Sequence, residues 1–202
     1  MNNDKLARLD DLYQRIEAGV CPPLEATTTQ LVRGHGDPDA DIVIIGEAPG
    51  QDEDRVGMPF VGRAGQLLDS FLADNGLSRQ KGVFITNYVK RNPTKVSATG
   101  RKSNRPPTPE EEAAYGPHTE EEVGILGPRA IITLGAHSTR LYIPDFKRLS
   151  DVRGVPHQVD IAGQPTLLIP QYHPSYAIRD SNKEPMLRED FQKAVEFIQQ
   201  KK

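Results

Sequence analysis

The sequence predicts an α/β fold, a sandwich of helices around a central, mostly parallel sheet. Two observations carry that expectation. Four short apolar runs, DIVIIG at 41–46, GVFIT at 82–86, AIITLG at 130–135 and TLLIPQ at 166–171, are continuous rather than alternating, as in strands buried on both faces of a parallel sheet. Between and around them lie stretches with apolar residues at helical spacing, and this alternation of strand with helix is the pattern of a sheet covered on both sides. At 202 residues the chain is expected to form a single domain, 1–202, around one sizeable core.

Each element has its own signature. Leu6, Leu9, Leu12, Tyr13 and Ile16 share a helical face ahead of Gly19. The segment GHGDPDA at 34–40 has two close glycines but precedes a strand, the wrong side for a dinucleotide fingerprint, and reads as a turn. After the first strand comes GEAPGQDED, which carries Glu47, Asp52, Glu53 and Asp54 and no cation, so a phosphate lying there would meet like charge. A G-x-x-x-x-G-K-[ST] loop is absent from the chain. Leu67, Leu68, Phe71 and Leu72 mark the next helix, with Gly76 as its C-terminal stop. Thr108, Pro109 and Glu111 in TPEE supply an N-cap, a first-turn proline and a capping-box acid. Leu187, Phe191, Ala194, Val195 and Ile198 outline a last helix.

Composition excludes several classes. With 36% hydrophobic and 26% charged residues the chain is ordinary for a globular protein, and it has no apolar run of the roughly 18 residues a membrane helix needs. No signal peptide is visible and a cytoplasmic location is expected. Cys21 is the only cysteine, which rules out an internal disulfide framework and a site built from several thiolates of this chain. The net charge of −3 does not by itself advertise nucleic-acid binding. Its distribution is uneven, however: Lys90, Arg91, Lys95, Arg101, Lys102 and Arg105 follow one another with no acid among them, in a segment rich in Ser, Thr, Asn and Pro. Such a loop suits contact with a phosphate backbone.

Ligands of open parallel sheets bind at the carboxyl ends of the strands. Those ends deliver Glu47 after the first strand, Asn87 after the second and His173 after the fourth, so a carboxylate, a carboxamide and an imidazole converge on one rim. The histidines at 35, 118, 137 and 157 show no metal-ligand spacing and are expected to be surface or core-capping residues.

The blocks GEAPGQDEDRVGMPFVGRAGQLLD, FITNYVKRNP, PPTPEEEAAYGP, PRAIITLGAHS and YHPSYAIR, in this order and spacing, resemble the family 4 uracil-DNA glycosylases of bacteria and archaea. The resemblance runs from about residue 29 to the C-terminal helix. It implies a three-layer α/β/α sandwich around a four-stranded parallel sheet, and hydrolysis of uracil from DNA to leave an abasic site. It also implies roles. Glu47 faces the sugar, stabilising oxocarbenium character and orienting or deprotonating the attacking water, and backbone N–H groups at Gly46 and Ala48 touch the base. His173 donates to uracil O2, Asn87 reads N3–H and O4, Phe60 stacks on the base, and Glu53 shapes the pocket against thymine's methyl group. Lys95, Arg101 and Lys102 meet phosphates. The segment with Ser175, Tyr176 and Arg179 enters the duplex.

The chain departs from the family in one respect. Family 4 enzymes ligate an iron–sulfur cluster through four cysteines, and this sequence keeps one candidate, Cys21, with Arg91 and Tyr115 at two of the other positions. No metal, cluster or organic cofactor is therefore expected. The expected partner is uracil-containing DNA, single- or double-stranded, with no membrane association and a monomeric chain. The rival reading is a catalytically weak or inactive module of the same fold that binds DNA or modified bases. A branch of the superfamily that captures uracil covalently uses a histidine in a basic insertion, and residues 92–105 contain none. An enzyme of free nucleosides is a weaker rival, because the basic loop would then have no strand to follow.

Overall fold

The computed structural model describes residues 2–20 and 30–201. Along the chain it runs α1 (Asn2–Arg15), β1 (His35–Gly36), β2 (Ile42–Gly46), α2 (Gln51–Val56), α3 (Arg63–Asp74), β3 (Val83–Asn87), a hairpin of β4 (Thr94–Val96) and β5 (Lys102–Asn104), and α4 (Pro109–Leu126). There follow β6 (Ala130–Leu134), α5 (Ala136–Arg140), β7 (His157–Ile161), β8 (Gln164–Gln171), α6 (Ser175–Arg179) and α7 (Glu184–Gln200). The four apolar runs are the parallel strands β2, β3, β6 and β8.

The sheet nevertheless has six strands, not four, in the order β1-β3-β2-β6-β8-β7. Both edge strands run antiparallel to their neighbours. One comes from the segment read as a turn, where His35 and Gly36 pair with Ile85 and Phe84. The other alternates exposed and covered side chains, the mark of an edge rather than a centre.

Successive side chains of a strand point to opposite faces, so each central strand feeds two cores. Val43, Ile45 and Ile131 pack under α1 and α4 with Tyr13, Tyr115 and Leu126. Ile44, Ile85, Ile132 and Ile169 pack on the other side against Phe71 and Leu72 of α3 and Phe191 and Val195 of α7. Each buried side chain of this size contributes about 1.5–3 kcal/mol. Of the residues expected to share the face of α1, Leu6 is 45% exposed while Leu9, Leu12, Tyr13 and Ile16 are buried. The first leucine of the face is therefore turned partly to solvent. The Thr108–Glu111 capping box forms as expected, and Gly76 adopts φ +69° just past α3. Among the described residues, no helix is long and apolar enough to cross a membrane.

One basic residue is not where its neighbours in sequence suggest. Lys90 is fully buried and ion-paired with Glu122 of α4, itself fully buried. Its ammonium also donates to Thr86 Oγ1 at 2.8 Å and to the Asn87 carbonyl at 2.6 Å, and the Tyr13 hydroxyl donates to Glu122. Burial and the Glu122 charge push the Tyr13 hydroxyl well above its ordinary pKa, so it remains a donor. Arg105, at the far end of the basic run, is held by Glu111 at 2.6 Å. Neither Lys90 nor Arg105 is a freely solvated cation of a DNA-tracking loop.

Candidate active site

From β2 the chain first lays β3 on one side and later β6 on the other, so β2 and β6 meet where the strand order reverses. Loops diverge at such a point and leave a crevice at the carboxyl ends. Here it is a cavity of about 760 Å³, lined by Glu47, Ala48, Phe60, Asn87, His137 and His173 among others. A volume of this size is in the range of small-molecule sites.

Gly46, the last residue of β2, opens the floor. A Cβ there would lie 2.4 Å from Asn87 Oδ1 and 2.5 Å from Phe60 Cζ, so any side chain would displace both. Asn87 is 2% exposed, lines the cavity, and has no described partner for its side-chain amide. Both its acceptor and its donor are open to a ligand. Phe60 adopts φ +54°, a left-handed conformation costly for a bulky residue, on the order of 1–3 kcal/mol. It is held there from outside: Arg79 donates to the carbonyls of Pro59 at 2.7 Å and Phe60 at 2.5 Å, and is itself fixed by Asp69 at 2.8 Å. Gly65 completes the clamp, because a Cβ at that position would sit 1.8 Å from the Phe60 carbonyl oxygen.

The Phe60 ring stacks on His173, with centroids 5.5 Å apart and planes 26° from parallel. His173 Nδ1 receives the backbone N–H of Ser175 at 3.1 Å and lies 2.9 Å from the Ser175 hydroxyl. An N–H can only donate, so Nδ1 is unprotonated and the neutral ring carries its hydrogen on Nε2. Burial, aided by the charge of Arg179, lowers the His173 pKa to about 4. Some of the side chain still meets solvent along the cavity, yet its ring nitrogens lie deep enough for desolvation to dominate. At neutral pH it is a neutral donor.

The acidic stretch divides its four carboxylates among four tasks. Residues 51–56 form α2 rather than a loop, with Gly50 as N-cap. Glu53 lines the cavity, but its carboxylate accepts from the backbone N–H groups of Gly50 at 3.0 Å and of Val61 and Gly62 at 2.9 Å each. It ties the two ends of the site loop together. Asp52 pairs with Arg55 at 3.3 Å, and buried Asp54 accepts from the Gln30 N–H. Glu47 alone of the four presents a carboxylate without a described hydrogen-bond partner to the cavity. Burial raises its pKa, His137 and Arg179 lower it, and Glu112 raises it.

Of the residues expected to meet DNA, Ser175, Tyr176 and Arg179 line the cavity, and Tyr176 packs against Tyr172 with centroids 5.0 Å apart. The Ser175 hydroxyl is turned to His173, a task the sequence did not announce. Lys95, Arg101 and Lys102 are exposed on the β4–β5 hairpin and do not line the cavity. His137 is the main omission. It was expected at the surface or as a core cap, yet it lines the cavity with its Nδ1 2.5 Å from Glu112 Oε1. The same strand-end rule that found Glu47 and His173, carried two residues past Gly135, reaches it.

The cluster positions do not fit a cluster. Tyr115 is 1% exposed and fills the core beneath α1 and α4, Arg91 offers no thiolate, and Cys21 lies outside the described residues. A single cysteine in the chain cannot supply four thiolates, and no step below passes through iron. Among the described residues, no three His, Cys, Asp or Glu side chains gather to hold a metal ion.

Comparison with known proteins agrees with the geometry. A family profile described as the uracil DNA glycosylase superfamily matches residues 33–199. The type-4 uracil-DNA glycosylase of Thermotoga maritima is 38% identical over 194 residues, covering 94% of each chain. That of Pyrobaculum aerophilum is 41% identical over 189 residues, 92% of this chain and 90% of the relative. In structure the chain is similar to Pedobacter heparinus SMUG2, with a TM-score of 0.53 at 12% identity over 94% of this chain and 98% of that one, a likeness of fold alone.

Proposed function

Because this chain belongs to the uracil DNA glycosylase superfamily, we propose that it hydrolyses the N-glycosidic bond of uracil in DNA, leaving an abasic site, as a cytoplasmic monomer. The observation that carries the reading is the meeting of Glu47, Asn87 and His173 around one cavity floored by Phe60.

Breaking the bond between uracil N1 and deoxyribose C1′ builds positive charge on the sugar and negative charge on the base. Glu47 opposes the first charge. His173 opposes the second, its Nε2–H donating to uracil O2 as charge collects there; a neutral donor in this position acts as an oxyanion hole. Asn87 accepts from N3–H and donates to O4, a pairing that cytosine reverses on the same edge. Phe60 offers its ring to the base, and the backbone at Gly46 and Ala48 runs close beneath. The target must first leave the stack, at a cost of roughly a few kcal/mol. Tyr176 and Arg179, on the rim beside His173, face the strand from which it is drawn.

Incubation with single- and double-stranded oligonucleotides containing one uracil, followed by alkali, tests the reading. A strand break at the uracil is expected in both. Binding without cleavage of any deaminated base would instead favour the non-catalytic module.

The hairpin makes a separate contribution to DNA affinity. Replacing Lys95, Arg101 and Lys102 together with alanine is expected to weaken binding about equally across sequences and to flatten its salt dependence. On duplex DNA the slope of log K against log salt should fall by about 0.9 for each phosphate that the protein no longer neutralises. Titrations at several salt concentrations measure this, and an unchanged slope would remove the hairpin from the interface.

A further inference from the structure

Beyond Glu47 and His173, the cavity is lined by a second histidine, His137, which is backed by a carboxylate, Glu112. His137 enters on the first turn of α5, directly after Gly135 turns the chain out of β6 with φ +101°. Glu112 stands behind it on the first turn of α4. Their side chains are 31% and 21% exposed, and the 2.5 Å contact joins His137 Nδ1 to Glu112 Oε1. Among the described residues Glu112 is the one hydrogen-bond partner of His137, so Nε2 is open. In the neutral ring, a hydrogen donated from Nδ1 to this carboxylate leaves the lone pair on Nε2. In hydrolases this is how a carboxylate makes a histidine into a general base.

The reaction asks two incompatible things of Glu47. To oppose the charge growing at C1′ it must stay ionised; to take a proton from the attacking water it must give that charge up. Residue 48 is alanine, so no adjacent carboxylate shares the work. His137 in its protonated form lowers the Glu47 pKa and Glu112 raises it, so the pair stands within electrostatic reach of Glu47. Of these three side chains, His137 is the one whose neutral form offers a basic ring nitrogen and whose cation would have a carboxylate beside it.

We propose that the Glu112–His137 pair is the base that deprotonates the attacking water, leaving Glu47 ionised throughout; the inference rests on the glycosylase reading above. The water oxygen bonds to C1′ as the C1′–N1 bond breaks. The bonding pair leaves with uracil, whose anion is met at O2 by His173 Nε2–H. One hydrogen of the water stays on the abasic sugar as its hydroxyl and the other passes as a proton to His137 Nε2. Glu112 stabilises the imidazolium, which then releases its proton to solvent.

Single-turnover cleavage of a uracil-containing oligonucleotide by wild type, His137→Ala, His137→Asn and Glu112→Gln tests the assignment. His137→Asn keeps a donor for Glu112 where Nδ1 stood but has no base at Nε2. Both His137 variants are expected to slow cleavage by on the order of 10²-fold with unchanged DNA affinity, and free imidazole should restore part of the rate to His137→Ala in proportion to its unprotonated fraction. Glu112→Gln should slow cleavage by on the order of 10-fold or more, because an amide can donate to Nδ1 and so move the ring hydrogen to Nε2. Wild-type rates in His137→Asn would show that the pair merely ties α4 to α5 and would overturn the proposal. So would a slow His137→Ala that imidazole does not rescue. If wild type itself fails to cleave, the glycosylase reading falls and the dyad's role falls with it; wild-type cleavage beside unaffected variants removes the dyad alone.

Discussion

Replacing either member of the Lys90–Glu122 pair is expected to lower the free energy of unfolding by about 3–5 kcal/mol, because each change strands an unpaired charge in the core. Both side chains are fully buried, so water cannot take the missing partner's place without opening the layer between the sheet and α4. Lys90→Met leaves Glu122 with donors from Thr86 and Tyr13 in place of the ammonium, while Glu122→Gln takes from the ammonium the carboxylate that pairs with it. Lys90→Met combined with Glu122→Leu removes both charges and should recover part of the loss, though the hydroxyls of Tyr13 and Thr86 then lack their acceptor. Urea unfolding reads these differences as shifts in midpoint at constant slope. A loss below about 1 kcal/mol in either single variant would contradict the account, since that is the range of an exposed pair.

The second large effect is on catalysis. Glu47→Gln keeps the shape of the side chain and removes the charge proposed to face the sugar; His173→Ala removes the donor proposed to meet uracil O2. Each should reduce single-turnover cleavage by on the order of 10²–10³-fold, with much smaller effects on affinity for uracil-containing DNA, because both interactions grow as the transition state forms. His173→Gln is the informative companion. Its amide can donate from near the Nε2 position, so partial recovery over His173→Ala would identify donation, and not ring packing against Phe60, as the contribution. If Glu47→Gln cleaves at the wild-type rate, the carboxylate does not face the cation.

The central strands were legible because burial on both faces leaves an uninterrupted β-branched run, as in IVIIG of β2. The edges were not. β1 is two residues long and contains a glycine, and β7 spends alternate positions on solvent, so neither stands out from a turn by hydropathy. Within the site, Glu47, Asn87 and His173 were found by a rule about strand ends that depends on topology more than on side chains. Lys90 was misplaced because its partner lies 32 residues further along the chain, and a lysine among lysines and arginines carries no local sign of a buried carboxylate waiting for it. Glu112 was overlooked for a related reason: Glu110, Glu111 and Glu112 together read as the acidic first turn of a helix, and nothing in the sequence distinguishes the acid that caps from the one that reaches a histidine 25 residues away. Glu53 lines the cavity, but the backbone N–H groups that hold its carboxylate were not foreseen, since they are invisible as partners in a string of side chains.

The clamp on Phe60 has a consequence for how this protein can change over generations. Gly46, Phe60, Gly65 and Arg79 form an interlocked set: a side chain at either glycine collides with Phe60 or its carbonyl, and loss of the arginine releases the strained turn that aims the ring. A lineage stepping through single substitutions meets a defect at each of the four before any second change can compensate. Change in the shape of this cavity therefore has a narrow path through its floor, and a wider one through the walls contributed by Asn87, His137 and the loop after His173.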